Sequence, residues 1–252
     1  MRYTTVSDAF FSIDSPKAIK ANEYGYVNAI NYMAPASTAG VGNLCPYAST
    51  GCLALCLGWY SGQAGMLSNA NLEDGVNATR SSRARKARMF MRDRHAFFEV
   101  MSKGIEACQR KANRLGLKLC VRLNGATDIS WEAVKDCGFT IIDRYSDVQF
   151  VDYTKNYKRM LRFCNHMLPK NYHLTFSRSE TNEAECVDVL KKGGNVAVVS
   201  SVAMPDKYLG HKVINGDKHD LRHLDEKNVV IWLSPKGRKA KADKSGMVLR
   251  AL

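Results

Sequence analysis

Short apolar runs alternate with longer stretches of helical spacing along this chain. The runs are YVNAIN (26–31), LKLCVRL (117–123), VQFVDY (148–153), YHLTFS (172–177), NVAVVS (195–200) and VVIWLS (229–234). Their length and their β-branched and aromatic content mark buried strands. Helical segments between them predict βα units and a parallel sheet. The expected fold is α/β, a six-stranded parallel and partly open (βα)6 barrel of TIM-like build.

The strongest helical stretch runs from Ser81 to Arg114, and Asp93 is expected to break it in two. In its second half Phe97, Phe98, Met101, Ile105 and Cys108 recur on one face. A second helix is expected from Glu183 to Lys192, stopped by Gly193 and Gly194, and a third from Lys155 to Met167, ended before Pro169. No repeat, low-complexity segment or Pro/Ser-rich linker interrupts the series. This predicts one domain over residues 1–252, with a cysteine-bearing loop at 40–62 and a basic helix at 79–115.

Polar residues gather where the strands end. Arg122 and Asn124-Gly125-Ala126-Thr127-Asp128 follow the second run, and Asp152 and Lys155 the third. Ser177, Arg178 and Glu180 follow the fourth, and Lys236 the last. Carboxyl ends of parallel strands are where barrels and open α/β sheets build their sites. Arg122, Asn124, Asp128, Asp152, Lys155, Arg178, Glu180 and Lys236 are therefore the candidate catalytic set. Ser177 is a candidate cofactor contact, since with Arg178 and Ser179 it can donate hydrogen bonds to a phosphate.

Charge adds an expectation about the partner. The formal net charge of +13 favours an anionic ligand such as a nucleotide or nucleic acid. Arg80, Arg83, Arg85, Lys86, Arg88, Arg92 and Arg94 crowd one stretch, and helical spacing places Arg85, Arg88 and Arg92 on one face, as a phosphate-binding stripe would require. The first twenty residues lack a basic segment followed by an apolar one, and no apolar run is long enough to span a membrane. A cytoplasmic setting follows, with reduced thiols and no membrane partner.

In that setting the stretch GNLCPYASTGCLALCLG (42–58) stands out. Cys45, Cys52 and Cys56 have the spacing C-x6-C-x3-C within a glycine-rich loop that follows the first strand. Clustered cytosolic cysteines point to metal or redox chemistry before disulfides. The spacing is not that of a zinc ribbon, and free backbone N–H groups in such a loop suit the sulfides of an iron–sulfur cluster. We expect a 4Fe-4S cluster, with zinc as the alternative. A fourth ligand could be Cys108, Cys120, Cys137, Cys164, Cys186, a histidine or a small molecule. Cys120 leads the protein candidates because it alternates with Arg122 and Asn124 along one strand face.

A three-cysteine loop after the first strand of a six-strand βα series resembles the radical S-adenosylmethionine enzymes. That resemblance implies an open barrel, a four-iron cluster on three cysteines and S-adenosylmethionine on the fourth iron. It also implies cofactor contacts at Asn124, Gly125 and Asp128, which stand where the family's polar motif after its second strand holds the methionine amine, without matching its letters. The family spacing is C-x3-C-x2-C with an aromatic residue before the last cysteine, whereas Leu55 stands there in this chain. At the level of whole phrases, NYMAPAS, LCPYASTGCLALCLG, VRLNGATDISWE, VQFVDYTK, NYHLTFSRSE and NVAVVSS resemble a phage-encoded family known as gene product 88. This implies a viral origin and an intracellular setting in the host, without naming a reaction.

His219 and His223, four residues apart, lack the glutamate of a metalloprotease motif. There is no GxGxxG after a strand, no P-loop and no GxSxG, so phosphoryl transfer and serine hydrolysis find no support. Two classes remain. One is an enzyme of radical or redox type acting on an anionic substrate, and the other is a nucleic-acid-binding protein with a structural cluster or zinc.

Overall fold

The computed structural model describes residues 10–65 and 77–251. Part of the N-terminal segment read for a leader, residues 1–9, lies outside them. The main sheet has eight strands: β1 Tyr26–Ile30, β2 Lys118–Arg122, β3 Gln149–Thr154, β4 Tyr172–Ser177, β5 Val196–Val199, β6 Lys207–Tyr208, β7 His211–Asn215 and β8 Val230–Leu233. Their spatial order is β1-β2-β3-β4-β5-β8-β7-β6. All neighbours are parallel except β6 and β7.

The longer helices are α1 Thr50–Leu55, α2 Ala78–Arg92, α3 Arg94–Arg114, α4 Tyr157–Cys164, α5 Glu183–Lys191 and α6 Gly237–Lys241. The break at Asp93 is real. Its side chain accepts the Ala96 amide at 2.9 Å and so starts α3 where α2 stops.

Strands β1 to β5 follow one another across the sheet in chain order. Right-handed crossovers between such strands place their helices on one face. The core agrees: Phe97, Met101 and Ile105 of α3 and Val189 of α5 pack with Val27, Val121, Phe150, Leu174 and Val198. On the opposite face, Cys120 and Val151 lie under Ala21 and Leu221, and Ala197, Val229 and Ile231 form a smaller group.

Two features correct the sequence reading. The sheet has eight strands rather than six, and its order is that of an open sheet, so the expected partly open, six-stranded TIM-like barrel is not what the strand pairing shows. The added pair is a hairpin whose turn residues Leu209 and Gly210 have φ of 51° and 79°. Such a turn matches the twist of a two-residue hairpin, but neither the polar strand β6 nor a leucine at positive φ announces it in the sequence. β7 then pairs with β8 and extends the sheet outward.

Candidate metal centre at the strand ends

The cysteine loop leaves β1 and folds back over the carboxyl ends of β2 to β4. Three contacts seat it. The Asp128 amide donates to the Leu44 carbonyl at 2.9 Å. Glu180, just past β4, accepts the Gly51 amide at 2.7 Å and the Ser49 hydroxyl at 2.8 Å. Gly58 lies so close to Ala126 that a Cβ built on it would sit 2.1 Å from the alanine methyl, so only glycine lets the loops meet. Gly125 is held the same way against the Asn31 carbonyl, 2.6 Å from where its Cβ would be.

These contacts place Cys45, Cys52 and Cys56, half-buried free thiols, in one loop, close enough for their charges to interact but not with all three sulfurs within 4.8 Å of one another. The Ala36 amide donates to Cys45 Sγ at 3.2 Å. The Gly58 and Trp59 amides donate to Cys56 Sγ. Burial pushes the Cys45 thiol up to about 12, with Cys56, Asp128 and Cys52 adding to it and the Ala36 amide opposing. Burial likewise pushes Cys56 up to about 11, with Cys52 adding and the two amides and Arg83 opposing.

The basic stretch divides in two. Arg80 and Arg83 turn inward onto the loop: Arg80 donates to the carbonyls of Trp59 and Ala64 at 2.8 Å, and Arg83 donates to that of Gly58. Arg83 also stacks on Tyr32, 4.5 Å from the ring centre. Arg85, Arg88 and Arg92 are exposed on the outer face of α2, as the helical spacing required. Arg80 and Arg83, read from the sequence as part of the phosphate stripe, thus hold the cysteine loop.

Several strand-end residues bond chiefly to one another. Asp152 accepts the Asn124 backbone amide at 2.6 Å, its side-chain amide at 3.1 Å and the Tyr172 hydroxyl at 2.7 Å. Asn124 Oδ1 accepts from Thr127, Ile129 and Trp131. Arg159 lies between Asp128 at 3.3 Å and Glu132 at 2.9 Å and also donates to Tyr172. Asp128 accepts the Lys155 amide at 2.8 Å. Burial pushes Asp152 up to about 7 against the pull of Arg159 and its hydrogen bonds. Asn124, Asp128 and Asp152 thereby shape the loop beneath the cysteines. Glu132, Arg159 and Tyr172 were invisible as members of this network, because nothing in the sequence relates an acid on a short turn to an arginine on α4.

The remaining members are spread out. Arg122 lies over the Tyr153 ring, 4.6 Å from its centre, on the face opposite the main core. Ser177 ends β4 half-buried. Arg178 donates to the Gly246 carbonyl at 2.9 Å and anchors the C-terminal segment. Lys236 pairs with Asp217 at 3.2 Å. Cys120 is fully buried within β2 against Ala21, Val151 and Leu221, and its charged neighbours are Asp152 and Asp220 rather than the loop thiols. Of the two histidines, His223 packs edge-on against Tyr26, and the Arg222 guanidinium lies 3.2 Å from His219. A groove of about 800 Å³ lined by Tyr26, Lys118, Asp143, Gln149, Lys170 and Asn171 lies at the opposite, amino edge of the strands and contains none of the candidate residues.

Fold and site together define an open, mostly parallel α/β protein with a three-cysteine loop seated on the carboxyl edge of its sheet. The chain belongs to the phage-encoded gene product 88 family, whose model matches residues 11–251. No curated protein and no solved structure matches it. Among the described residues no helix is long and apolar enough to cross a membrane.

Proposed function

We propose that Cys45, Cys52 and Cys56 hold a four-iron cluster and leave one iron open to a small ligand, making the chain an iron–sulfur enzyme of redox or radical type. The observation that carries this reading is the placing of three thiols in one loop at the strand ends, close enough for their charges to interact, with backbone N–H groups donating to two of them. An attacking cysteine needs a lowered pKa, and burial works the other way here. A coordinated metal deprotonates such thiols outright, and N–H bonds to sulfur are one of the means by which a protein sets cluster potential.

When bound, the cluster supplies electrons and a Lewis-acidic iron. Around it Arg83 places positive charge beside Cys56, and Glu180 fixes the start of α1. Lys155, near enough to Glu180 to help lower its pKa, offers a cation to an anionic substrate, a nucleotide or nucleic acid. S-adenosylmethionine as the small ligand is the narrower form of the reading, with Gly125, Asp128 and Ser177 half-buried and Asn124 alone of the four expected contacts buried.

The test is iron, sulfide and zinc analysis with a visible spectrum on protein purified without oxygen. The expected result is a brown protein with about four irons per chain. Alanine at Cys45, Cys52 or Cys56 removes the colour and alanine at Cys120 does not. Colourless protein carrying a zinc ion that Cys52→Ala abolishes overturns the cluster in favour of a structural zinc.

A second reading rests on a different observation. Arg85, Arg88 and Arg92 are exposed on one face of α2, which fits contact with a nucleic-acid backbone. Binding to a DNA or RNA duplex should then weaken steeply with salt, and the triple alanine variant should flatten that dependence. Affinity indifferent to both removes it.

A further inference from the structure

Away from the cysteine loop, His95 at the start of α3 meets the tip of a small hairpin, Lys135–Asp136 paired with Phe139–Thr140. One donor atom each of His95, Asp136 and Cys137 lies within 4.8 Å of the other two. We propose that His95 Nδ1, Asp136 Oδ1 and Cys137 Sγ bind a divalent transition-metal ion, with zinc the best match to the donor set.

The geometry is that of neighbouring ligands. His95 Nδ1 and Asp136 Oδ1 are 3.1 Å apart, close to the separation of two donors each about 2.1 Å from a common ion. Arg144 holds the second carboxylate oxygen, donating to Asp136 Oδ2 at 2.6 Å and to its backbone carbonyl, while His95 Nδ1 lies nearer Oδ1 (3.1 Å) than Oδ2 (3.3 Å). A hydrogen-bonded partner behind a ligating carboxylate is the usual means of orienting it, and here it leaves Oδ1 facing His95. Cys137 occupies the hairpin turn with φ of 50°, followed by Gly138 at 86°. Asparagine, aspartate or glycine is favoured at such positions, so a cysteine carries a backbone cost that a ligand role accounts for. The thiol is exposed, so an ion reaches it directly.

Nitrogen, carboxylate and thiolate together suit borderline ions such as zinc, whereas calcium and magnesium take oxygen ligands. With a neutral imidazole, the two anionic donors balance the ion's charge. Three protein donors leave one position for water. Binding exchanges the Cys137 proton for the ion, so uptake releases a proton and strengthens as pH rises. The ion would tie the hairpin to α3 and stiffen that corner.

Cobalt(II) is the probe, because a thiolate ligand gives it a charge-transfer band and tetrahedral zinc displaces it. The reduced full-length chain is titrated beside Cys137→Ala, His95→Gln and a variant with Cys45, Cys52 and Cys56 all changed to alanine. The expected result is one cobalt equivalent in the triple variant that disappears when Cys137→Ala is added to it. Arg144→Gln should weaken it about 10- to 100-fold. The triple variant should also melt higher with added zinc, and should not once Cys137→Ala is added to it. Equal cobalt uptake by wild type and Cys137→Ala overturns the site. So does loss of the signal in a triple variant whose circular dichroism is native. Because the loop cysteines are absent from that variant, this outcome is independent of whether they hold a cluster.

Discussion

The Glu180 carboxylate accepts the Gly51 amide at 2.7 Å, across 129 residues of chain. This bond, with the one from Ser49, fastens the helix that carries Cys52 to the end of β4. Gly51 is buried, so removing the acceptor leaves its N–H without a partner.

Glu180→Ala should therefore cost about 1–3 kcal/mol of loop order, read, on the proposed cluster, as faster loss of iron from anaerobic protein. The direction with pH follows. Burial works to raise Glu180, yet the amide and hydroxyl bonds it accepts win and hold it below the ordinary carboxylate range. Its contribution is thus present above the unfolded carboxylate pKa and is lost as pH falls through the lowered one. Metal retention in wild type should weaken on acidification, and that part of the profile should be missing in Glu180→Ala.

Gly58→Ala should be more damaging than its size suggests. The added methyl meets Ala126 at 2.1 Å, and overpacking of this kind costs about 1–3 kcal/mol. Ala126→Gly in the same chain should restore much of the loss, as measured by urea midpoint and metal content together. If the double variant is no better than the single, the loops do not meet in this way.

Arg159→Leu is expected to cost about 3–5 kcal/mol, because it strands the carboxylates of Glu132 and Asp128 in a buried site. Adding Glu132→Gln should return part of that stability. Urea unfolding of the three variants gives the coupling.

Lys86 should tilt the stability of the whole chain with pH. Its ammonium donates to the Phe10 carbonyl at 2.9 Å, and burial, aided by Arg83, pulls its pKa down to about 7. The unfolded lysine stays protonated to about 10.4. Between these values the unfolded state binds more protons, so stability rises with pH from about 7 to about 10. Lys86→Met should flatten that slope in urea unfolding, and an unchanged slope would show that the lysine is not responsible.

Much of this protein could be read from local pattern. All six apolar runs became strands of the sheet, because a buried strand is marked by its own β-branched and aromatic residues whatever it pairs with. The split of the long helix at Asp93 was legible for the same reason, since a capping aspartate acts on an amide three residues away. The spacing of Arg85, Arg88 and Arg92 on an exposed face followed from the helical period alone.

What tertiary structure decided concerns partners distant in sequence. The sheet's openness and its added hairpin depend on how β7 pairs with β8, which no local pattern encodes. The inward turn of Arg80 and Arg83 depends on where the cysteine loop comes to rest. The Asn124–Asp152–Tyr172 network joins three strand segments through hydrogen bonds with tolerances of a few tenths of an ångström. Composition marked the residue types able to carry chemistry, but only packing determined whether each faces a metal, a neighbour or water, since burial and pairing are properties of the folded chain.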